Sequence, residues 1–163
     1  MIVDASVLLY AVDAEGAFHD AARAWLEETL NGPARVGLPW ASLLAFQRIS
    51  AHPRASASPL SPGQAWSFIS DWLDAEATWV PAPGERHAEI LHRLIVDGDL
   101  RGNLVTDAHL AALAIEHGVG ICSTDSDFAR FPELTWVNPV TERLCQTRSQ
   151  RARTSARQRD GSS

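Results

Sequence analysis

A chain of 163 residues, 45% of them hydrophobic, holds enough apolar material for one packed domain and too little for two. Its 14 basic residues, all arginine, face 20 acids; the formal net charge of −6 argues against a broad basic face for nucleic acid and suits a site that gathers divalent cations. Cys122 and Cys145 make a poor disulfide framework, no apolar run approaches the ~18 residues of a membrane span, and no basic n-region precedes the apolar start, so a soluble, cytoplasmic protein is expected.

In chain order, "MIV" is a short apolar run ending at Asp4, and "ASVLLYAVD" follows it as a turn and helix. "FHDAARAWLEETLNG" places Ala21, Ala22, Trp25, Leu26 and Leu30 at helical spacing and closes at Gly32. "ARVGLP" reads as a second strand, "WASLLAFQRISAHP" as a helix stopped by Pro53, and "ASASPLSPG" as a loop. A helix then starts with Pro62 in its first turn after Ser61 and runs through Trp66, Ile69, Trp72 and Leu73. "TWVPAP" is a third strand, and "GERHAEILHRLIVDGDL" a helix with Ala88, Leu91, Leu94 and Ile95 on one face. "GNLVTDAHLAALAIEHG" forms another helix, ending at Gly118; "VGICST" and "LTWVNP" are the last two strands. Strands separated by helices, without a two-residue hairpin signal, predict an α/β domain whose central, mostly parallel sheet of four to five strands is flanked by helices.

Charge divides the chain. Residues 1–140 carry 8 arginines and 18 acids, whereas residues 141–163 carry 6 and 2. The end, "TRSQRARTSARQRDGSS", has no apolar periodicity, so a domain over 1–140 and a basic tail over 141–163, disordered beyond about residue 145, are expected. A solvated extension is the first reading of that tail, ahead of an RNA-binding arm.

In an open parallel sheet, ligand sites form outside the carboxyl ends of the strands. Asp4 follows the first strand, Asp125 follows "GICS", and Asp107 lies in the first turn of its helix, so three acids from distant segments can converge. Such a cluster repels itself unless a cation sits in it, and hard oxygen ligands suit Mg²⁺ or Mn²⁺, which can activate a water against a phosphodiester. Each acid has a plainer role open to it: Asp125 could cap the turn "DSDFARF", and Asp107 could complement its helix dipole. Asp4 has no such excuse, since no strong helical pattern asks for a cap there. Asp127 ranks below Asp125 as a ligand. His19, His52, His87, His92, His109 and His117 show no zinc-like spacing and default to surface or helix-packing roles. There is no glycine-rich phosphate loop and no G-x-S-x-G elbow, and the six tryptophans fall mainly at helical positions expected in the core.

"MIVDAS", "GLPWASLLAFQRISAHP", "GNLVTDAHLAALAIEHG" and "CSTDSDFARFPELTWVNP", in that order over residues 1 to about 140, resemble PIN-domain ribonucleases, in particular VapC-type toxins of bacterial toxin–antitoxin systems. The resemblance implies a PIN-like fold and an endoribonuclease using Mg²⁺, or Mn²⁺, at Asp4, Asp107 and Asp125; Asp127, from its place in "DSDF", is a further candidate metal ligand beside them. Ser6, Asn103 and Ser123 match positions where the family often has polar supporting groups. A VapB-like antitoxin occupying the active groove, and a homodimer, are implied as well. One departure stands out. The family commonly has a glutamate within "EF-x-R" in the helix after the second strand, and here "AFQR" places Ala45 there, with no acid between Asn31 and Asp71 to substitute. Arg48 remains, for RNA phosphate or for pairing with an acid, and Asp127 is the candidate to compensate.

Three other functions compete. A haloacid-dehalogenase-type phosphatase needs D-x-D, and Ser6 stands at its second position. A PIN module that binds RNA or antitoxin without cutting is the alternative Ala45 raises. A structure-specific DNA nuclease would need extra length and a basic duplex-binding face.

Overall fold

The computed structural model describes residues 1–54 and 58–141. Five strands of two residues each, β1 (Ile2–Val3), β2 (Val36–Gly37), β3 (Thr78–Trp79), β4 (Ile121–Cys122) and β5 (Trp136–Val137), form one sheet in the order β3-β2-β1-β4-β5. Every pairing is parallel, with Ile2 opposite Gly37 and Ile121, and Val3 opposite Cys122. Six helices connect and cover it: α1 (Ala5–Val12), α2 (His19–Leu30), α3 (Trp40–Ser50), α4 (Pro62–Asp74), α5 (His87–Asp97) and α6 (Leu104–Glu116). A 3₁₀ turn, Ser126–Arg130, follows β4. The expected elements are all present, in the expected order and sense. The tail expected at 141–163 lies, beyond Thr141, outside the described residues, as do residues 55–57 of the expected loop.

Successive strand residues point to opposite faces, and this alternation divides the core into two layers. Val3 and Cys122 pack with Val7, Leu8, Leu26, Phe46, Ile69 and Trp72 from α1 to α4. Ile2 and Ile121 pack with Ala108, Ala111, Leu113 and Phe128 from α6 and the 3₁₀ turn. Gly37 lets β2 approach: a Cβ there would meet Ile2 Cγ1 at 3.0 Å and the Trp79 indole at 3.3 Å.

Helix ends follow local chemistry. Ser61 and Gln64 form a reciprocal capping box at α4, where the Ser61 hydroxyl accepts from Gln64 N (3.2 Å) and the Gln64 side chain accepts from Ser61 N (2.9 Å), with Pro62 in the first turn. Helix α6 closes at Gly118, φ +64°, with Val119 N donating to Ala114 O (2.9 Å) and Gly118 N to Ile115 O (3.1 Å).

Two expectations need correction. On α5 the inward residues are His87 and Ile90, with Leu91 and Leu94 partly buried, while Ala88 is exposed. His87 takes the place because its ring reaches His109 on α6 (Nε2 to Nδ1, 3.0 Å), and α5 turns to bring that contact inside. The tryptophans are less uniformly core than expected: Trp72 is buried, but Trp40 (44% exposed) and Trp66 (48%) lie on the outer faces of α3 and α4 with near-parallel rings 6.5 Å apart.

Candidate metal centre

Because the sheet is wholly parallel, β1 and β4 deliver their following residues to the same edge. Asp4 leaves β1 there, its N–H donating to Cys122 O (2.9 Å), and Ser123 to Asp127 leave β4 beside it. Asp107 enters from the first turn of α6.

Three carboxylates meet. Asp107, Asp125 and Asp127 each offer an oxygen, and these oxygens all lie within 4.8 Å of one another. Asp107 is pushed up to about 6, first by desolvation and then by the neighbouring charges of Asp4, Asp125 and Asp127, with Arg130 partly offsetting them. Three hard oxygen donors that hold each other's charge at this separation fit a small divalent cation. Asp4 stands outside the tight trio, yet it is the largest of the charges acting on Asp107.

The surroundings of Asp4 explain its orientation. Ser6 Oγ donates to Asp4 Oδ2 at 2.6 Å and Ser123 Oγ donates to the same oxygen at 2.7 Å. Each hydroxyl has a single proton, so the 3.2 Å approach of Ser6 Oγ to Ser123 Oγ is a packing distance between two committed donors. Their lone pairs then receive Thr124 N (3.2 Å, on Ser6) and Asp125 N (3.0 Å, on Ser123), which ties the loop after β4 to the start of α1. Ser123 is fully buried. These hydrogen bonds all fall on Oδ2.

Asp4 is also the N-cap of α1, its Oδ2 accepting from Ser6 N at 3.4 Å, so the expectation that no helix needed a cap there is corrected: α1 begins immediately after the strand. Asp125 likewise caps the 3₁₀ turn through Asp127 N (2.8 Å), which is the plainer role foreseen for it. That bond folds Asp127 back beside Asp125 and completes the trio. Arg130 then donates to Asp127 Oδ1 (3.0 Å) and holds it from the far side. Sequence reading missed Arg130, although the three-residue spacing in "DFAR" was its signal.

The remaining candidates lie on α6 and α3. Asn103 is exposed at the N-cap position of α6, with no side-chain cap bond. Arg48 is exposed in the last turn of α3 and makes no ion pair among the described residues. Ala45 is half-buried on the same helix. From Ser6 a cleft of about 670 Å³ opens between α1 and α3, walled by Leu9, Tyr10, Val12, Ile49 and Leu60, with Asp13 and Glu15 also lining it. Ser50 Oγ, buried in that wall, has no hydrogen-bond partner among the described residues. The histidines keep structural roles: His87 and His109 pack α5 on α6, His117 Nε2 donates to Ala82 O and its ring meets Trp79 edge-on, and His19 Nδ1 donates to Tyr10 O. No helix among the described residues is long and apolar enough to cross a membrane.

Comparison with known proteins agrees with this architecture. Ribonuclease VapC37 of Mycobacterium tuberculosis is 44% identical over 138 residues, 85% of this chain and 96% of that one. Ribonuclease VapC33 of the same organism is 37% identical over 142 residues, 87% of this chain and 99% of that one. The solved VapBC-1 structure from nontypeable Haemophilus influenzae superposes with a TM-score of 0.60 over 85% of this chain and 96% of that chain, at 15% identity, a likeness of fold. The PIN-domain family model matches residues 1–134, and with two relatives above 30% identity nearly covered end to end, the chain belongs to the PIN-domain family.

Proposed function

We propose that this protein is the toxin of a toxin–antitoxin pair, a cytoplasmic endoribonuclease that hydrolyses RNA phosphodiester bonds with Mg²⁺, or Mn²⁺, at the carboxylate centre. The observation that carries the reading is the meeting of Asp107, Asp125 and Asp127 beside Asp4 at the strand ends of a PIN domain whose relatives are ribonucleases. Residues 1–140 form the catalytic domain.

Asp107, Asp125 and Asp127 would hold the ion, with Asp4 leaving β1 at the same edge and acting on Asp107 by its charge. A bound Mg²⁺ supplies Lewis-acid stabilisation of the phosphoryl oxygens and a water acidic enough to act as nucleophile. The protein's part is positional. Ser6 and Ser123 spend both hydroxyl protons on one oxygen of Asp4 and so hold its carboxylate in a single orientation. Arg130 fixes Asp127 without reaching the other two acids' hydrogen bonds. Asp107, half-buried and crowded by three acids, retains a proton near pH 6 unless a cation replaces it. Asn103 and Arg48, both exposed, would contact the RNA backbone.

A VapB-like antitoxin fits the cleft between α1 and α3. Its apolar wall and acidic Asp13 and Glu15 suit a segment of apolar residues with an arginine, which a carboxylate receives in bidentate fashion. The toxin itself would pair as a homodimer. The purified chain should cut RNA with Mg²⁺ or Mn²⁺ and stop when EDTA is added. Asp4→Asn should keep the fold and lose cleavage; an Asn variant that cuts at the wild-type rate removes the proposal.

A further inference from the structure

We propose that the cleft between α1 and α3 is a base-reading subsite, in which an unpaired guanine of the RNA is held beside the carboxylate centre. This deepens the ribonuclease reading above and rests on it for its substrate.

The cleft continues the carboxylate centre along one helix. Ser6, Leu9, Tyr10 and Asp13 recur at helical spacing and form a single stripe of α1 and its C-cap, all of it lining the cleft. Ser6 Oγ donates to Asp4 Oδ2 at 2.6 Å, so the stripe begins one hydrogen bond from Asp4. Asp13 stands seven residues on, about 10 Å along the helix axis. Ile49 and Ser50 of α3 form the facing wall, and Leu60 is tied to it by its N–H, which donates to Ser50 O at 2.9 Å. The volume of about 670 Å³ falls within the range, about 300–1,000 Å³, of sites that take a small molecule.

Two features define the occupant. Ser50 is only 8% exposed, yet its Oγ has no hydrogen-bond partner among the described residues, a cost that a polar group brought into the cleft removes. Asp13 and Glu15 also line the cleft, and neither carboxylate has an ion pair or hydrogen bond among the described residues. Carboxylates repel phosphate and accept N–H donors, so the cleft suits a base and not the backbone. Unpaired RNA bases are read on their Watson–Crick edges and against aromatic rings. Guanine alone presents two adjacent donors there, N1–H and N2–H, which one carboxylate accepts together. Adenine and cytosine set a lone pair next to the amino group, and uracil flanks its single N–H with two carbonyls. Tyr10 supplies the ring, held by Phe18 edge-on at 5.4 Å and 82°. Ser50 is left for an acceptor of the same base, O6 or N7. The N1–C2–N2 unit of guanine has the donor layout of a guanidinium, so an antitoxin arginine on these carboxylates excludes the substrate base by taking its place.

The test uses the full chain and two fluorescent RNA heptamers, six uridines around one central guanosine or, in its place, inosine, which lacks the N2 amino group. Affinity is titrated in EDTA at low salt, so that nothing is cut, and cleavage is then followed in Mg²⁺. The expected result is roughly tenfold tighter binding of the guanosine RNA, the discrimination of one bidentate pair, with a similar ratio in kcat/KM. Asp13→Asn should erase both preferences. Ser50→Ala should weaken guanosine binding by roughly threefold or more while the melting temperature stays at or above that of wild type, because no bond within the protein is lost. Equal affinity for the two RNAs, no measurable binding of either, or a preference that survives Asp13→Asn overturns the proposal. Equal cutting of both RNAs in Mg²⁺ refutes the base site and leaves the ribonuclease reading intact. A guanosine preference that Asp13→Asn erases, in a wild-type protein that cuts neither heptamer nor total cellular RNA, does the reverse.

Discussion

At the scale of single residues, Asp107 sets how the centre responds to pH. Its carboxyl is raised to about 6, above the unfolded value, so the folded state binds a proton more readily than the unfolded one between these limits. Without metal, its contribution to stability therefore improves as pH falls through about 6 and is poorest above it. Metal reverses the sense, because a cation needs the ionised form. The Mn²⁺ dissociation constant should rise about tenfold for each pH unit below 6, measured by calorimetry, and Asp107→Asn should raise the metal-free melting temperature at pH 7.5 while abolishing metal binding. Ala45 offers a second residue-scale test. On the proposal that Ala45 stands where the family commonly has a glutamate, Ala45→Glu should lower the Mg²⁺ concentration for half-maximal cleavage, and Asp127→Asn should raise it at least as much as it would in a relative that keeps the glutamate. If both variants titrate like wild type, neither the placement of Ala45 at the site nor the compensation by Asp127 survives. Asp4 and Asp125 could be picked from the sequence because each follows a short apolar run. The rank of Asp127 could not, since its approach depends on a hydrogen bond from its own N–H to Asp125 that only the 3₁₀ turn creates.

At the scale of elements, helix ends show where sequence signals carry and where they slip. Ser61 followed by Pro62 marked the start of α4, and the structure adds a capping box with Gln64 there; Ser61→Ala should cost about 1 kcal/mol and lower the melting temperature by roughly 2–4 °C. At the end of α5 Gly98 has φ −84°, and Asp99 takes the left-handed position, φ +44°. Glycine is needed at 98 for room, because a Cβ would meet Leu94 O at 2.7 Å and Leu100 Cγ at 3.1 Å. Spacing cannot tell a glycine required for room from one required for its dihedral angle. Asp99 thus bears a strained backbone in exchange for an exposed pair with Arg101, worth little in water. Asp99→Gly should raise thermal stability by about 0.5 to 1 kcal/mol in a calorimetric melt. The inward turn of His87 on α5 was hidden for a related reason: a helical wheel ranks alanine above histidine and does not see His109 on the neighbouring helix.

At the scale of the whole molecule, the sheet order was legible only in part. Alternating strands and helices gave a parallel sheet, whereas the central place of β1, between β2 and β4, comes from packing: Ile2 and Val3 are buried on both faces and demand neighbours on both sides. The carboxylate centre couples to this whole fold by mass action. Mn²⁺ at 100 times its dissociation constant should stabilise the protein by about 2.7 kcal/mol, an effect that Asp125→Asn should erase in a thermal-shift assay.

The place of β1 also governs when the centre can exist. Asp4 is made almost first, but its partners at the edge, Asp107 and Ser123 through Asp127, are made more than a hundred positions later, and β1 lacks its β4 neighbour until Ile121 and Cys122 have emerged. At 5–20 residues per second, synthesis of that interval takes roughly 5 to 25 s. Throughout it the nascent chain holds an isolated acid on an incomplete sheet, with nothing to gather a cation or cut a strand. Pairing across so long a separation is itself slow to form, because loop closure comes before the contacts that reward it. The centre therefore cannot assemble while the last quarter of the domain is still in the exit tunnel, and any activity it supports begins only after synthesis is nearly complete.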